Sequence, residues 1–273
     1  MVKEKTLEEI EKIAFGDFSV EDITDIVKRF VAEHPEIEDP AYAVTRGLNA
    51  LGSTVYSLVD HIDIAKILHK GLGLDERGVA KAFSKYIKTQ PKTIVWILRK
   101  GFELDYSDCA RIAHEDSGAD YFEVAEGLRE VHVSDLVITE ILKTTLNADN
   151  SSIFKTMNRL FDHDLPQTAI ALINSTDCSY SEFANIYIEN AFDLKQIRYA
   201  LETPKEGFKS LTRALRVTGA SDEEIQYALD SVDLEKRKTL LEKEKFEKAA
   251  KDNAEFVKAM GNDFWLFLGY FEK

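Results

Sequence analysis

A large apolar residue recurs every 14 or 15 positions between residues 60 and 230. The series is Leu68, Phe83, Leu98, Ala113, Leu128, Leu142, Met157, Leu172, Tyr187, Leu201, Leu215 and Leu229, with Ala113 the one small member. Four residues before each anchor stands a second, mostly apolar residue, from Ile64, Val79 and Ile94 through Phe183 to Ile225. Spacing i, i+4 puts both members of a pair on one helical face, so each unit reads as a short amphipathic helix. A face that recurs so evenly is best buried against others of its own kind, and this constrains the fold more than any local motif.

A second register runs in phase with the first. Eight residues before the anchors lie Asp60, Asp75, Gln90, Asp105, Asp120, Ser134, Asp149, Asp164, Ser179, Asp193, Gly207 and Ser221, and ten of these twelve are Asp or Ser. Those side chains accept from the free N–H groups of a first helical turn. Asp120–Glu123, Ser179–Glu182 and Ser221–Glu224 have the spacing of reciprocal caps, and Pro91 follows Gln90 where a missing N–H does no harm. The position before the anchor is often small (Ala82, Gly127, Ala171, Ala200, Ala214, Ala228), which suits close helix approach. Gly71, Gly101 and Gly219 fall after anchors and read as helix-ending turns.

Helices of about 10–11 residues are too short to stand alone in water, so each unit must lean on its neighbours. Two units make a hairpin of about 29 residues. The expected fold is therefore all-α: an α-solenoid of short antiparallel helical hairpins, six of them over residues 60–232. Residues 1–59 read as an irregular helical N-terminal cap. Thr6 and Glu9 frame one helix there, Ser19 caps a second, Asp39 and Pro40 open a third, and Gly52 and Ser53 set off a short fourth. Residues 233–273 read as a long, charge-laced C-terminal helix followed by the aromatic segment NDFWLFLGYFEK.

Over residues 60–230 the hairpin period resembles HEAT-like and armadillo-like α-solenoids, and the short units are similar to the shorter HEAT-type repeats of phycobilin lyases. Residues 71–91, GLGLDERGVAKAFSKYIKTQP, resemble one repeat of the mitochondrial transcription terminator family, in a pattern that does not recur further along. The likeness is one of architecture. It implies a stack with extended faces, and no functional residue is carried over from it.

Sites for chemistry are scarce. The histidines, His34, His61, His69, His114, His132 and His163, show no i, i+3 or i, i+4 pairing with another His or Cys, so no metal site is expected. There is no H-E-x-x-H, CxxC, Walker or G-x-S-x-G motif, and no cofactor is expected. Cys109 and Cys178 read as two buried thiols rather than a disulfide framework. A formal charge of −14 argues against nucleic acid and anionic membrane. The first residues, MVKEKTLEEI, lack the apolar core of a secretory signal, so a cytoplasmic location is expected.

Two features stand out as candidates for binding a partner. Two residues before the anchors most units are polar, but Trp96, Ile170, Tyr199 and Tyr227 are not. The second is the C-terminal cluster Phe264, Trp265, Phe267, Tyr270 and Phe271, which either folds back or docks. The expected function is a non-catalytic protein-interaction scaffold or adaptor, or a structural component of a larger assembly such as a viral or phage particle. The alternatives are a helical-repeat nucleic-acid-binding protein and an enzyme with a groove active site.

Overall fold

The computed structural model describes residues 19–54 and 60–268, with side chains described over 19–49 and 60–252. Among the described residues there are sixteen α-helices packed against one another, one π-helical turn and no strand. Two compact units divide the chain between Asp177 and Cys178.

The first unit holds α1 (Val20–Glu33), α2 (Pro40–Thr54), α3 (His61–Leu72), α4 (Glu76–Ala82), α5 (Pro91–Phe102), α6 (Tyr106–Ser117), α7 (Tyr121–Glu130), α8 (Asp135–Thr144), α9 (Asn150–Leu160) and α10 (Leu165–Ser175). After α4 the helix widens into a π turn, Phe83–Ile87. From α2 onward each helix packs on the next. Each also packs on the one after that: α1 on α3, α3 on α5, α5 on α7 and α7 on α9, with the even-numbered helices following the same rule.

Burial repeats with the anchors. In each regular unit the anchor and the residues one, three and four before it are buried: Ile64, Ala65, Ile67 and Leu68 in α3, and Ile94, Val95, Ile97 and Leu98 in α5. In this unit the position three before the anchor is Ala in α3, α4, α6, α7 and α10, and Val95, Thr139 and Phe154 in α5, α8 and α9. Gly127, one before the anchor of α7, marks the closest approach. A Cβ built there would stand 2.8 Å from the Cβ of Val95 and 3.0 Å from the Lys92 Cα on α5.

The caps form largely as the spacing predicts. Asp60, Asp75, Asp105, Asp120, Asp149, Asp164, Ser179, Asp193 and Ser221 each accept from the backbone N–H three residues on. Ser19 and Asp22 add a reciprocal box ahead of α1, and Asp193 with Gln196 another ahead of α12. Hydrogen bonds from the Ser152 backbone N–H and hydroxyl hold the Asp149 carboxyl below the usual carboxylate range, against a smaller opposing effect of burial. A folded-state pKa below the unfolded value of about 3.9 means this cap stabilises fully above that pH and less as pH falls through the lower folded value. Asp149→Ala is expected to cost about 1 kcal/mol at neutral pH. In urea melts the difference from wild type should shrink in acid.

Helix ends hold a feature that composition hides. Five residues after six of the anchors the backbone is left-handed, at Gly73, Lys88, Glu103, Gly118, Asn147 and Asp162. The residue just after the anchor then clasps the turn: His69 Nδ1 donates to the Leu74 carbonyl at 2.6 Å and His114 Nδ1 to that of Ala119 at 2.7 Å. Arg99 does the same to Leu104 at 2.8 Å. A non-glycine residue in this region carries about 1–2 kcal/mol of strain. Because glycine adds freedom to the unfolded chain, Glu103→Gly should stabilise by only about 0.5 kcal/mol net, read as a higher urea midpoint.

Several readings of the glycines need correction. Gly71 and Gly101 lie inside the last turns of α3 and α5 rather than in the turns beyond. Gly71 faces Val27 of α1, whose Cγ1 would stand 3.0 Å from an added Cβ, so close approach explains it. Gly52 and Ser53 do not break a helix; α2 continues through both. The helix framed by Thr6 and Glu9 lies outside the described residues.

The second unit holds α11 (Tyr180–Ala191), α12 (Leu194–Glu202), α13 (Pro204–Gly207), α14 (Lys209–Val217), α15 (Asp222–Asp230) and α16 (Leu234–Leu268). Gly207 is not a cap but the end of the one-turn helix α13, and Phe208 occupies the position before α14. Its missing side chain matters, because an added Cβ would stand 2.5 Å from the Ala200 Cα. Here α11 packs on α14 and α15, α12 on α13 and α16, and α14 on α15. Along α16, Leu234 is buried and Leu241 half-buried, while every side chain from Glu242 to Asp252 is exposed.

Candidate functional site

The helices bury one stripe each and leave the rest to water, so the informative residues are large apolar side chains on the wrong side of that division. On α15, Ile225 and Ala228 are buried while Tyr227, between them in sequence, is 73 % exposed. Tyr199 on α12 is 49 % exposed, and Phe246 on α16 is 76 % exposed. Tyr199 and Tyr227 do not stand on directly stacked helices. The packing partners of α12 are α13 and α16, and those of α15 are α11 and α14.

Trp96 and Ile170 are half-buried at the edges of the core stripes of α5 and α10, beside buried Val95 and Ile97 and beside buried Ala169 and Ala171. The helix α16 runs through Phe264, Trp265 and Phe267, but their side chains lie outside the described ones, and Tyr270 and Phe271 lie outside the described residues.

Tyr199 belongs to a groove of about 420 Å³ lined by Leu194, Lys195, Arg198, Tyr199, Glu202 and Lys245. The first five come from one face of α12, at spacings of one turn and two, and Lys245 is supplied by α16. Three cations face one carboxylate in the lining. Arg198 also reaches Glu242 of α16 at 3.4 Å, an exposed pair of the kind that contributes little stability. On α12 the spacing of Lys195, Arg198, Tyr199 and Glu202 was a readable signal. Lys245 lies 43 residues beyond Glu202 and joins the groove only through the packing of α16 on α12.

Other charged clusters are explained by packing. Asp116 of α6, its side chain only 6 % exposed, lies 3.1 Å from both Arg77 and Lys81 of α4, and Glu115 is 3.1 Å from Arg77. Lys92 of α5 bridges to Glu126 and Glu130 of α7 at 3.5 and 3.1 Å. These tie next-nearest helices together. Rings and cations meet at helix ends in the same manner: Arg99 lies 4.7 Å from the Tyr106 ring centroid and Arg159 lies 3.6 Å from that of Phe122.

Cys109 and Cys178 are both buried thiols. Burial pushes the Cys109 thiol up to about 12, far from the range in which a thiolate acts as a nucleophile. We expect Ellman's reagent to leave Cys109 unmodified in the native protein at pH 8 and to modify it after unfolding in guanidinium. Rapid native labelling of Cys109, identified by peptide mapping, would contradict this burial.

Among the described residues no group of three or more His, Cys, Asp or Glu side chains is arranged to hold a metal ion, and no helix is long and apolar enough to cross a membrane. Compared with known proteins, the chain matches no protein family, no curated protein and no solved structure.

Proposed function

We propose that the first unit is an α-solenoid of antiparallel hairpins and that the chain is a non-catalytic scaffold, binding another protein through exposed helix faces. The packing of each helix on its two successors supports the solenoid: such a stack buries one stripe per helix and offers the remainder along an extended surface. The observation that carries the binding reading is the pair Tyr227 and Phe246, both about three-quarters exposed on well-formed helices. Large aromatic side chains of this kind supply much of the energy at protein interfaces. A structural role in a larger assembly is the same reading with a permanent partner.

The test is affinity capture from lysate of the source cell, comparing wild type with Tyr227→Ser/Phe246→Ser. Both substitutions are on exposed positions, so circular dichroism and melting should not change. A protein retained by wild type and reduced at least about tenfold by the variant supports the scaffold. Equal retention by both, or none by either, contradicts it.

A further inference from the structure

We infer that the groove between α12 and α16 takes a short acidic peptide segment of the scaffold's protein partner, with one apolar side chain seated against Leu194 and Tyr199. This inference rests on the scaffold reading and names the partner's chemistry.

Charge comes first. The chain carries −14 overall, yet the groove holds Lys195, Arg198 and Lys245 against Glu202 and the Glu242 carboxylate paired with Arg198, a local excess of one positive charge. A positive recess on a negative molecule attracts a ligand whose negative charge is confined to the recess. Size says how confined it must be. From Lys195 to Glu202 the helix rises about 10.5 Å, the reach of roughly three extended residues. A polyanion such as RNA would run beyond that reach into the wider negative field of the molecule. A short acidic segment would not.

The apolar part of the lining adds a second requirement. Tyr199 keeps half of its surface in water beside half-buried Leu194, and a volume of about 420 Å³ holds one large side chain with its flanking backbone. Arg198 is already placed for a carboxylate, since it holds that of Glu242 at 3.4 Å in an exposed contact. An incoming glutamate or aspartate would exchange with Glu242 at little cost, because exposed pairs are weak.

The experiment uses the full chain and a fluorescein-labelled peptide of glutamates around a central phenylalanine, read by fluorescence anisotropy at low salt. The expected result is saturable binding that weakens as salt is raised. Lys195→Glu/Lys245→Glu should weaken it by about tenfold or more, and Tyr199→Ala by several-fold. Both lysines are exposed, and unchanged circular dichroism will show that the variant folds. Lys195→Gln/Lys245→Gln, which removes charge without reversing it, should give an intermediate loss.

Absence of binding to the wild type, or binding that survives the charge reversal, overturns the inference. So does a single-stranded RNA bound at least as tightly and lost in the same variants, which would make the groove a nucleic-acid site. Tyr227 and Phe246 are untouched by these substitutions. Partner capture that persists while the peptide fails sinks the groove alone, whereas loss of capture by wild type sinks the scaffold reading itself.

Discussion

Phe154→Ala is expected to destabilise the first unit by about 3–5 kcal/mol, measured by urea or guanidinium unfolding. Phe154 is 1 % exposed in α9, at the position three before the anchor, where six other units carry Ala. Rigid helices on several sides limit collapse: α9 packs on α7, α8 and α10. Phe154→Leu keeps most of the volume and should cost about 1.5 kcal/mol or less. A loss below about 1 kcal/mol for the alanine variant would mean that α9 does not bury this residue.

The same chemical change should have opposite signs at two glycines. Gly47 lies within α2 with nothing within 4 Å of an added Cβ, so Gly47→Ala should stabilise by about 0.5–1 kcal/mol through helix propensity. Gly127→Ala earns the same propensity but drives a methyl to 2.8 Å from Val95 Cβ and 3.0 Å from the Lys92 backbone. The side chain can give a little, but the backbone can give only by moving α5 away from α7. We expect a net loss of about 1–3 kcal/mol. Unfolding in urea measures both, and a gain at Gly127 would refute the close approach.

The parts of the fold that were legible in the sequence are those fixed by local chemistry. An Asp or Ser caps its own helix three residues on, and an apolar pair at i, i+4 marks its own face, so these could be placed without knowing what packs where. The alanines three before the anchors recur in half of the units, and a small residue reads as a helix former before it reads as a contact. The left-handed residues were hidden because Lys88 and Glu103 are poor choices for that conformation, although backbone bonds such as Thr89 N–H to the Phe83 carbonyl close the helix end there. Gly207 failed because Pro204 opens an extra turn of helix within the expected unit, which shifts the start of α14. Of the candidate site, Tyr199 and Tyr227 were visible as breaks in a polar register, whereas the groove needed a long-range contact between α12 and α16.

The stack rests on a repeating register in which the residue before one anchor meets the residue three before the anchor two helices earlier. Gly127 against Val95 is the observed instance. The same register sets Ile97 at the level of Ala65, Ile112 at that of Ala80 and Ile141 at that of Ala110, pairing large with small along the stack. The most direct test is a double-mutant cycle on Gly127→Ala and Val95→Ala by urea unfolding. Shortening Val95 removes the methyl that would stand 2.9 Å from the new Cβ and lets the remaining atoms adjust. The combined cost should be smaller than the sum of the single costs by about 1 kcal/mol or more, and additivity within about 0.5 kcal/mol would refute the register.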